Sequence, residues 1–347
     1  MPFTAVELDN IANSVLDFHV RGAAKSQIIQ DRPLYNDLMG SKKTFPGGKE
    51  YITEPVKGVY TTSLQGYSHD DPVSFQNPAN TKRTQVSWYE MSGGISLTHT
   101  ELHKAGISVT DTNGEGTSNH SGQELIQLTN LLDEKFDDMD EGTKRSMAEI
   151  MWRDGTQDAK VFPGITSFIT TAPTTGTTFG IDRAANAWWR NRASLNIDSS
   201  TATNQNLVNT LQTEIRQLRR YTKNPKHKMY AGSTILENFE KELRSKGNYT
   251  LEGWMKGSAV DAGMADVMFK GIMLQYEPLL DDLGYQKRLY ILDMNAIKLK
   301  PMDGEEWKMH TPARPPEKYV MYRAVTWVGA LCADQLNSSG CYSATAS

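Results

Sequence analysis

The chain has 347 residues, with 37 Lys and Arg against 41 Asp and Glu and a formal net charge of −4; a protein whose main role is to bind nucleic acid by itself carries a basic footprint, and the chain as a whole does not. Apolar residues at 38% allow a core of reasonable size in two domains, or in one with large excursions, and leave the remainder as extended polar chain or as surface covered only on assembly. Charged residues at 22% argue against wholesale disorder. No apolar run is long enough to cross a bilayer, and Cys332 and Cys341 cannot build a disulfide framework, which fits a reducing cytoplasm and two small buried side chains.

The N-terminus opens on a helix signal rather than a signal peptide. Thr4 and Glu7 have capping-box spacing, Leu8, Ile11, Val15 and Phe18 follow helical periodicity, and Arg21-Gly22 closes the segment. So short a helix is marginal alone and needs a partner surface. From Arg32 to Gly48 the chain is broken by Pro33, Gly40, Pro46, Gly47 and Gly48 and reads as an arm.

Residues 51–91 read as one long hairpin. Val56, Gly58, Tyr60, Thr62 and Leu64 share a face of the outgoing strand, and Val86 and Trp88 a face of the returning one. The tip, Gly66 to Asn80, is polar and holds His69, Asp70, Asp71, Pro72 and Pro78. An isolated two-stranded hairpin is marginal in water, so this one lies against its own domain or against a neighbour. Periodicity leaves the two alternatives open.

After a polar loop from Asp111 to Gly122, the clearest helix is expected over Ser121 to Glu141, with Leu125, Leu128, Leu132, Phe136 and Met139 on one face. Gly142 is expected to interrupt it before a shorter helix from Thr143 to Arg153. Further helices are expected over Asn206 to Tyr221 and from Thr234 onward. Strands are expected over Val267 to Tyr276, Leu289 to Leu292, Ile297 to Lys300 and Tyr319 to Ala333. Strands and long helices without a regular βαβ alternation predict an α+β fold.

Signatures of catalysis are missing: there is no phosphate loop, serine elbow, dinucleotide fingerprint or zinc-protease motif. His99 and His103 at i and i+4 would share a helix face and flank Glu101. The glutamate is out of place for a general base and no third ligand accompanies the pair, so satisfied or surface histidines are the better reading. No catalytic, metal-binding or cofactor-binding residue is assigned. Basic residues gather at Arg183, Arg190 and Arg192 beside Trp188-Trp189, and again at Arg216, Arg219, Arg220, Lys223, Lys226 and Lys228. Arginine beside aromatic rings can stack on bases, but it equally clamps acidic loops or solvates a helix.

Three stretches, taken in order, carry a resemblance. They are Arg32-Pro33-Leu34 through Lys42-Lys43-Thr44-Phe45-Pro46-Gly47-Gly48-Lys49-Glu50-Tyr51-Ile52; His69-Asp70-Asp71 to Asn77-Pro78-Ala79-Asn80 followed by Gly94-Ile95-Ser96-Leu97-Thr98-His99-Thr100-Glu101-Leu102; and Gly180-Ile181-Asp182-Arg183 leading into Trp188-Trp189-Arg190-Asn191. With the order arm, extended hairpin, long helix, α+β body and returning strand, the chain resembles the major capsid proteins of tailed bacteriophages over nearly its whole length. The resemblance implies the fold named after the Hong Kong phage: an N-terminal arm at 1–44, an extended loop at 45–95, a peripheral domain with a spine helix at 96–225, an axial domain at 226–310 and C-terminal strands at 311–347 returning to the peripheral domain. It implies a non-enzymatic subunit that self-assembles into the pentamers and hexamers of an icosahedral shell around double-stranded DNA; the alternative is an encapsulin-like nanocompartment. Inter-subunit contacts are expected at Phe45, Tyr67, His69, Asp70, Asp71, Trp188, Trp189 and Arg190. Implied partners are copies of the chain, a separate scaffolding protein (the arm-like helix begins at Thr4), a portal protein, a decoration protein in some shells, and packaged DNA held non-specifically, with no membrane. The implied location is the virion, assembled in the host bacterial cytoplasm. The lysine–asparagine crosslink of some members is not expected, because its positions have no match.

Overall fold

The computed structural model describes residues 3–4, 30–72, 75, 80–104, 109–110, 122–199, 206–245, 267–310 and 320–345. In chain order the elements are β1 (Phe3–Thr4), α1 (Pro33–Gly40), β2 (Tyr51–Lys57), β3 (Thr81–Ser87), β4 (Tyr89–Thr98), α2 (His99–Lys104), β5 (Val109–Thr110), α3 (Gly122–Trp152), α4 (Ile165–Phe168), β6 (Thr177–Thr178), β7 (Ile181–Asp182), β8 (Arg192–Ile197), α5 (Leu207–Arg219), β9 (His227–Ala231), α6 (Ser233–Ser245), β10 (Val267–Phe269), β11 (Ile272–Tyr276), α7 (Pro278–Asp282), β12 (Arg288–Asp293), β13 (Ile297–Pro301), β14 (Lys308–His310), β15 (Val320–Ala333) and β16 (Gly340–Ala344). This is the mixed α+β content expected. The helix expected after Thr4 lies outside the described residues. Two compact units form: one from residues 1–30, 90–147 and 304–328, the other from 31–89, 148–303 and 329–347.

In the first unit, the apolar stripe of α3 does what its spacing predicts. Leu128, Leu132 and Phe136 are buried together with Leu97 of β4 and Leu102 of α2, and Ile95, Met139, Met309 and Met321 pack around them. Strands β4 and β14 both pair with β15, β14 in antiparallel register from Lys308↔Thr326 to His310↔Ala324. The expected break at Gly142 is a correction: α3 runs unbroken for 31 residues, about 46 Å at 1.5 Å per residue. Gly142 is exposed, so it costs only the ~1 kcal/mol of a helical glycine. Buried Met147, Ala148, Met151 and Trp152 carry the apolar face onward past it.

The second unit is built on a six-stranded mixed sheet of order β10-β11-β9-β12-β16-β8. Alternation sends Met229, Ala231, Leu289 and Ile291 to one face, where Leu207, Leu211, Ile215 and Leu218 of α5 and Ile235 and Phe239 of α6 cover them. From the other face Tyr230 and Tyr290 meet Trp152, with ring centroids 6.0 and 5.1 Å apart. Burying each such side chain contributes roughly 1.5–3 kcal/mol. The first turn of α5 has no local side-chain cap; the buried carboxylate of Glu242 accepts the Leu207 and Val208 N–H groups at 2.9 and 3.2 Å instead.

Two further expectations change. The strand expected over 267–276 is a hairpin: Phe269 pairs with Ile272 across Lys270 and Gly271, whose φ angles of 51° and 78° make a type I′ turn. Strand β9, at the centre of the sheet, went unread because His227 to Ala231 shows no polar–apolar alternation; both faces of a central strand are covered. Cys332 and Cys341 are both buried free thiols, and burial pushes their pKa values up to about 12 and about 11. No helix among the described residues is long and apolar enough to cross a membrane.

Candidate assembly surface

The hairpin of β2 and β3 is antiparallel from Tyr51↔Ser87 to Lys57↔Thr81. Its base is fixed to its own unit. Ile52 and Val86 are buried with Ala330 and Cys332, and Phe45, Trp88 and Phe179 pack against them. The buried Lys300 ammonium pairs with Glu54, and the Gln85 N–H donates to the Phe179 carbonyl at 2.9 Å. Lys82 Nζ donates to Asn186 Oδ1 at 2.8 Å. At the end of β2 the chain crosses the indole of Trp188 so closely that a Cβ on Gly58 would sit 2.0 Å from the ring, a place only glycine can occupy.

Past Gly58 this packing stops. The outgoing strand was expected to run to Leu64, but it ends at Lys57. Val59, Tyr60, Leu64, Tyr67 and Phe75 are exposed, Tyr60 to 84%, Leu64 to 104% and Phe75 to 94%. Their alternation has no surface of the same unit to pack on, so it forms no strand. Single exposed apolar residues are ordinary, but five on one projecting segment make a contact surface without a partner. Within the tip, Asp71 Oδ2 accepts the Ser68 N–H at 2.9 Å and the Asp71 N–H donates back to the Ser68 carbonyl at 3.0 Å, closing a turn over exposed His69 and Asp70. Residues 73–74 and 76–79 of the expected tip lie outside the described residues.

The other residues singled out from sequence sit inside the chain's own fabric. Phe45 bridges to Met302, its N–H donating to the Pro301 carbonyl at 3.0 Å and its carbonyl accepting the Asp303 N–H at 3.0 Å. Trp189 is 1% exposed and its indole N–H donates to the Thr178 carbonyl at 3.1 Å. Trp188 is half-buried beside it. Arg190 reaches the Arg183 and Ala184 carbonyls at 2.7 and 2.8 Å. Arg183 is itself buried, donating to Thr170 Oγ1 and Asn191 Oδ1 at 2.9 and 3.2 Å and to the Phe168 carbonyl, and burial lowers its pKa. Arg192 clamps Glu214 through both arms at 2.5 and 2.9 Å. The first basic group therefore braces the 168–192 loop on which the hairpin base rests.

The His99–Glu101–His103 stretch is a helix start. Glu101 Oε2 accepts the Thr98 N–H at 3.0 Å and the Glu101 N–H returns to Thr98 Oγ1 at 3.3 Å, a reciprocal capping box. The Thr98 N–H and the Thr98 hydroxyl, which donates to Oε2 at 3.1 Å, hold the Glu101 carboxyl below its ordinary range. No group of three or more candidate metal ligands occurs among the described residues.

The segment from Pro33 to Lys43 is anchored by residues that sequence reading did not single out. Pro33 opens α1 and no side chain near it caps the helix; the fully buried Glu277 carboxylate does so from far along the chain, accepting the Leu34 N–H at 3.1 Å. Burial, reinforced by the nearby Asp31 charge, raises the Glu277 pKa to about 7 against the pull of the Leu34 N–H, Trp152 and Arg32. Asp37 accepts the Tyr230 hydroxyl at 2.6 Å and pairs with Lys228. Beyond α1, the Lys43 N–H donates to the Leu299 carbonyl at 2.9 Å. Glu277 stands before a proline in what reads as a loop, and nothing local marks it as a cap.

No protein-family model matches this sequence, and no curated protein matches it. Solved structures do. The capsid of cyanophage A-1(L) superposes with a TM-score of 0.60 at 12% identity, covering 92% of this chain and 94% of that one. The capsid of the native GTA particle gives 0.54 at 11% identity over 94% and 95%, and the capsid of Myoviridae phage XM1 gives 0.54 at 12% over 93% and 95%. The chain has the fold of these capsid proteins.

Proposed function

We propose that this chain is the major capsid protein of a tailed phage, a structural subunit that assembles into the pentamers and hexamers of an icosahedral shell enclosing double-stranded DNA. The observation that carries the reading is a fold shared over more than nine-tenths of both chains with phage and GTA capsids. The projecting hairpin supports it, since a segment beyond Gly58 that exposes five large apolar residues calls for a neighbour to cover them. In this reading residues 1–44 are the arm, 45–95 the extended loop, 96–225 the peripheral domain with α3 as spine, 226–310 the axial domain and 311–347 the returning strands. The sheet joins β8 and β16 to strands of the axial segment, so these parts share one framework. Copies of the chain are the principal partner; a separate scaffolding protein acts during assembly, and the virion holds a portal and, in some shells, a decoration protein.

The test is negative-stain electron microscopy of the purified protein, expressed with and without a candidate scaffolding partner. Closed shells or capsomer rings are expected. Monomers or dimers alone under both conditions, at concentrations well above those of assembly, would overturn the reading.

A further inference from the structure

The second basic group falls into two parts. Lys228 is spent on Asp37. Arg216, Arg219, Arg220, Lys223 and Lys226 are exposed, as is Lys270, and no carboxylate pairs with any of these six among the described residues. From Ile215 to Lys226 there is no acidic residue at all. In a chain of net charge −4 this is a local excess of one sign.

The bland account is helix electrostatics: cations in the last turn favour the negative end of the dipole. It covers Arg216 and Arg219, which lie inside α5. It does not cover Lys223, Lys226 or Lys270, which lie beyond the helix, nor the repulsion that like charges at i, i+3 and i+4 impose on one another.

The loop that follows α5 is held by its backbone while its charged side chains meet no carboxylate among the described residues. The Tyr221 carbonyl accepts Gln335 Nε2 at 3.3 Å, the Asn224 carbonyl accepts Asn295 Nδ2 at 2.8 Å, and the Lys226 N–H donates to the buried Asp293 carboxylate at 3.2 Å. Arg219 donates to the Lys270 carbonyl at 3.1 Å, which brings the tight turn at Lys270–Gly271 into the same patch. Tyr221, 60% exposed, carries the Arg220 guanidinium 5.4 Å from its ring centre. Six cations on a pre-formed scaffold, with no counter-charge among the described residues, match a partner whose negative charges repeat at short intervals and offer no fixed side-chain pattern.

We propose that Arg216, Arg219, Arg220, Lys223, Lys226 and Lys270 form a surface that binds the phosphate backbone of duplex DNA without regard to sequence. This deepens the capsid reading and rests on it, since the DNA is the genome such a shell encloses. The other polyanion in view is the acidic face of α3 on a second copy. That face is partly committed, with Asp140 paired to Lys144 at 2.6 Å, and it offers fewer regularly spaced charges than a duplex.

The experiment titrates the purified full-length chain against a fluorescently labelled duplex of mixed sequence, by anisotropy, over a range of KCl concentrations. A triple variant, Arg216→Gln with Arg220→Gln and Lys223→Gln, leaves the Arg219 and Lys226 backbone anchors intact. Each phosphate contact contributes about 0.9 to the slope of log affinity against log salt, so the triple variant should lower that slope by about 2.7 and weaken binding at 0.1 M salt about tenfold or more. A second duplex of unrelated sequence should behave alike. The control removes three exposed lysines elsewhere, Lys49→Gln with Lys104→Gln and Lys160→Gln, and should leave the slope within about 1 of the parent value.

Equal losses in both triples would overturn the proposal, because the attraction would then be diffuse. DNA binding unchanged in the patch variant together with impaired shell formation would also overturn it and assign the patch to a second copy. Shell formation is scored on the same preparations: shells without patch-dependent DNA binding sink this inference alone, while patch-dependent DNA binding without shells under any condition sinks the capsid reading alone.

Discussion

At the scale of single residues, Glu277 has the most to say about how the segment around α1 is held. Its carboxylate stands in for the missing local cap of α1 and has no exposed surface. A carboxyl raised from 4.5 to about 7 keeps its proton in the folded chain over a range where the unfolded chain has lost it. Folding therefore binds a proton between about pH 4.5 and 7, and the stability due to this group falls as pH rises through that window, then levels off. At about 1.4 kcal/mol per pKa unit, the span is roughly 3 kcal/mol. Glu277→Gln retains an acceptor for the Leu34 N–H and removes the titration. Thermal melting at pH 5, 6, 7 and 8 should show the parent losing stability relative to the variant as pH rises, with the largest gap at pH 8. Curves that stay parallel would mean that Glu277 does not titrate in this window. No neighbour in sequence advertises this role, because Leu34 and Glu277 are joined only by the tertiary fold.

Among the elements, α3 shows which signals survive in sequence and which do not. The burial of Leu128, Leu132 and Phe136 was legible because one covered face imposes a 3.6-residue period. Its length was not legible, since a helical glycine reads as a stop even where, as here, the apolar face resumes beyond it at Met147, Ala148, Met151 and Trp152. Gly142 is exposed with open space where a Cβ would go, so Gly142→Ala should stabilise the helix by about 0.5–1 kcal/mol and raise the melting temperature by a few degrees. A neutral or destabilising result would indicate that the helix bends or opens there. The hairpin failed in the opposite direction. Alternation from Val56 to Leu64 predicts a strand, but Gly58 already abuts Trp188 and nothing within the unit covers the residues after it. The 267–276 hairpin was hidden because Lys270 takes the left-handed position where Asn or Asp gives the usual signal. Of the residues expected at subunit contacts, those of the tip are exposed, while Trp189 and Arg190 donate to carbonyls of the 168–192 loop, a distinction that composition cannot make.

On the scale of the whole molecule, the proposed capsid role predicts that stability within the chain and stability of the assembly depend on different residues. The base of the hairpin belongs to the fold of its own unit, while the large apolar residues described beyond Gly58 are exposed. Tyr60, Leu64 and Tyr67 are at least 74% exposed, and substitutions at such positions usually change folding stability by no more than about 0.5 kcal/mol. If a neighbouring copy covers them, each contributes roughly 1.5–3 kcal/mol to association, and heterologous contacts of this kind close into rings and shells. The triple variant Tyr60→Ser, Leu64→Ser and Tyr67→Ser should therefore melt as the parent does when dilute, yet need a concentration about a hundredfold higher or more to assemble, since every 1.4 kcal/mol is a factor of ten. Removing residues 66–80 should likewise leave a soluble body with weakened shell formation. Sedimentation of dilution series of all three proteins separates the two quantities. Assembly of either altered chain at the parent's threshold would mean that the tip's apolar residues face solvent in the shell, and that the arm and sheet edges carry the lattice without it.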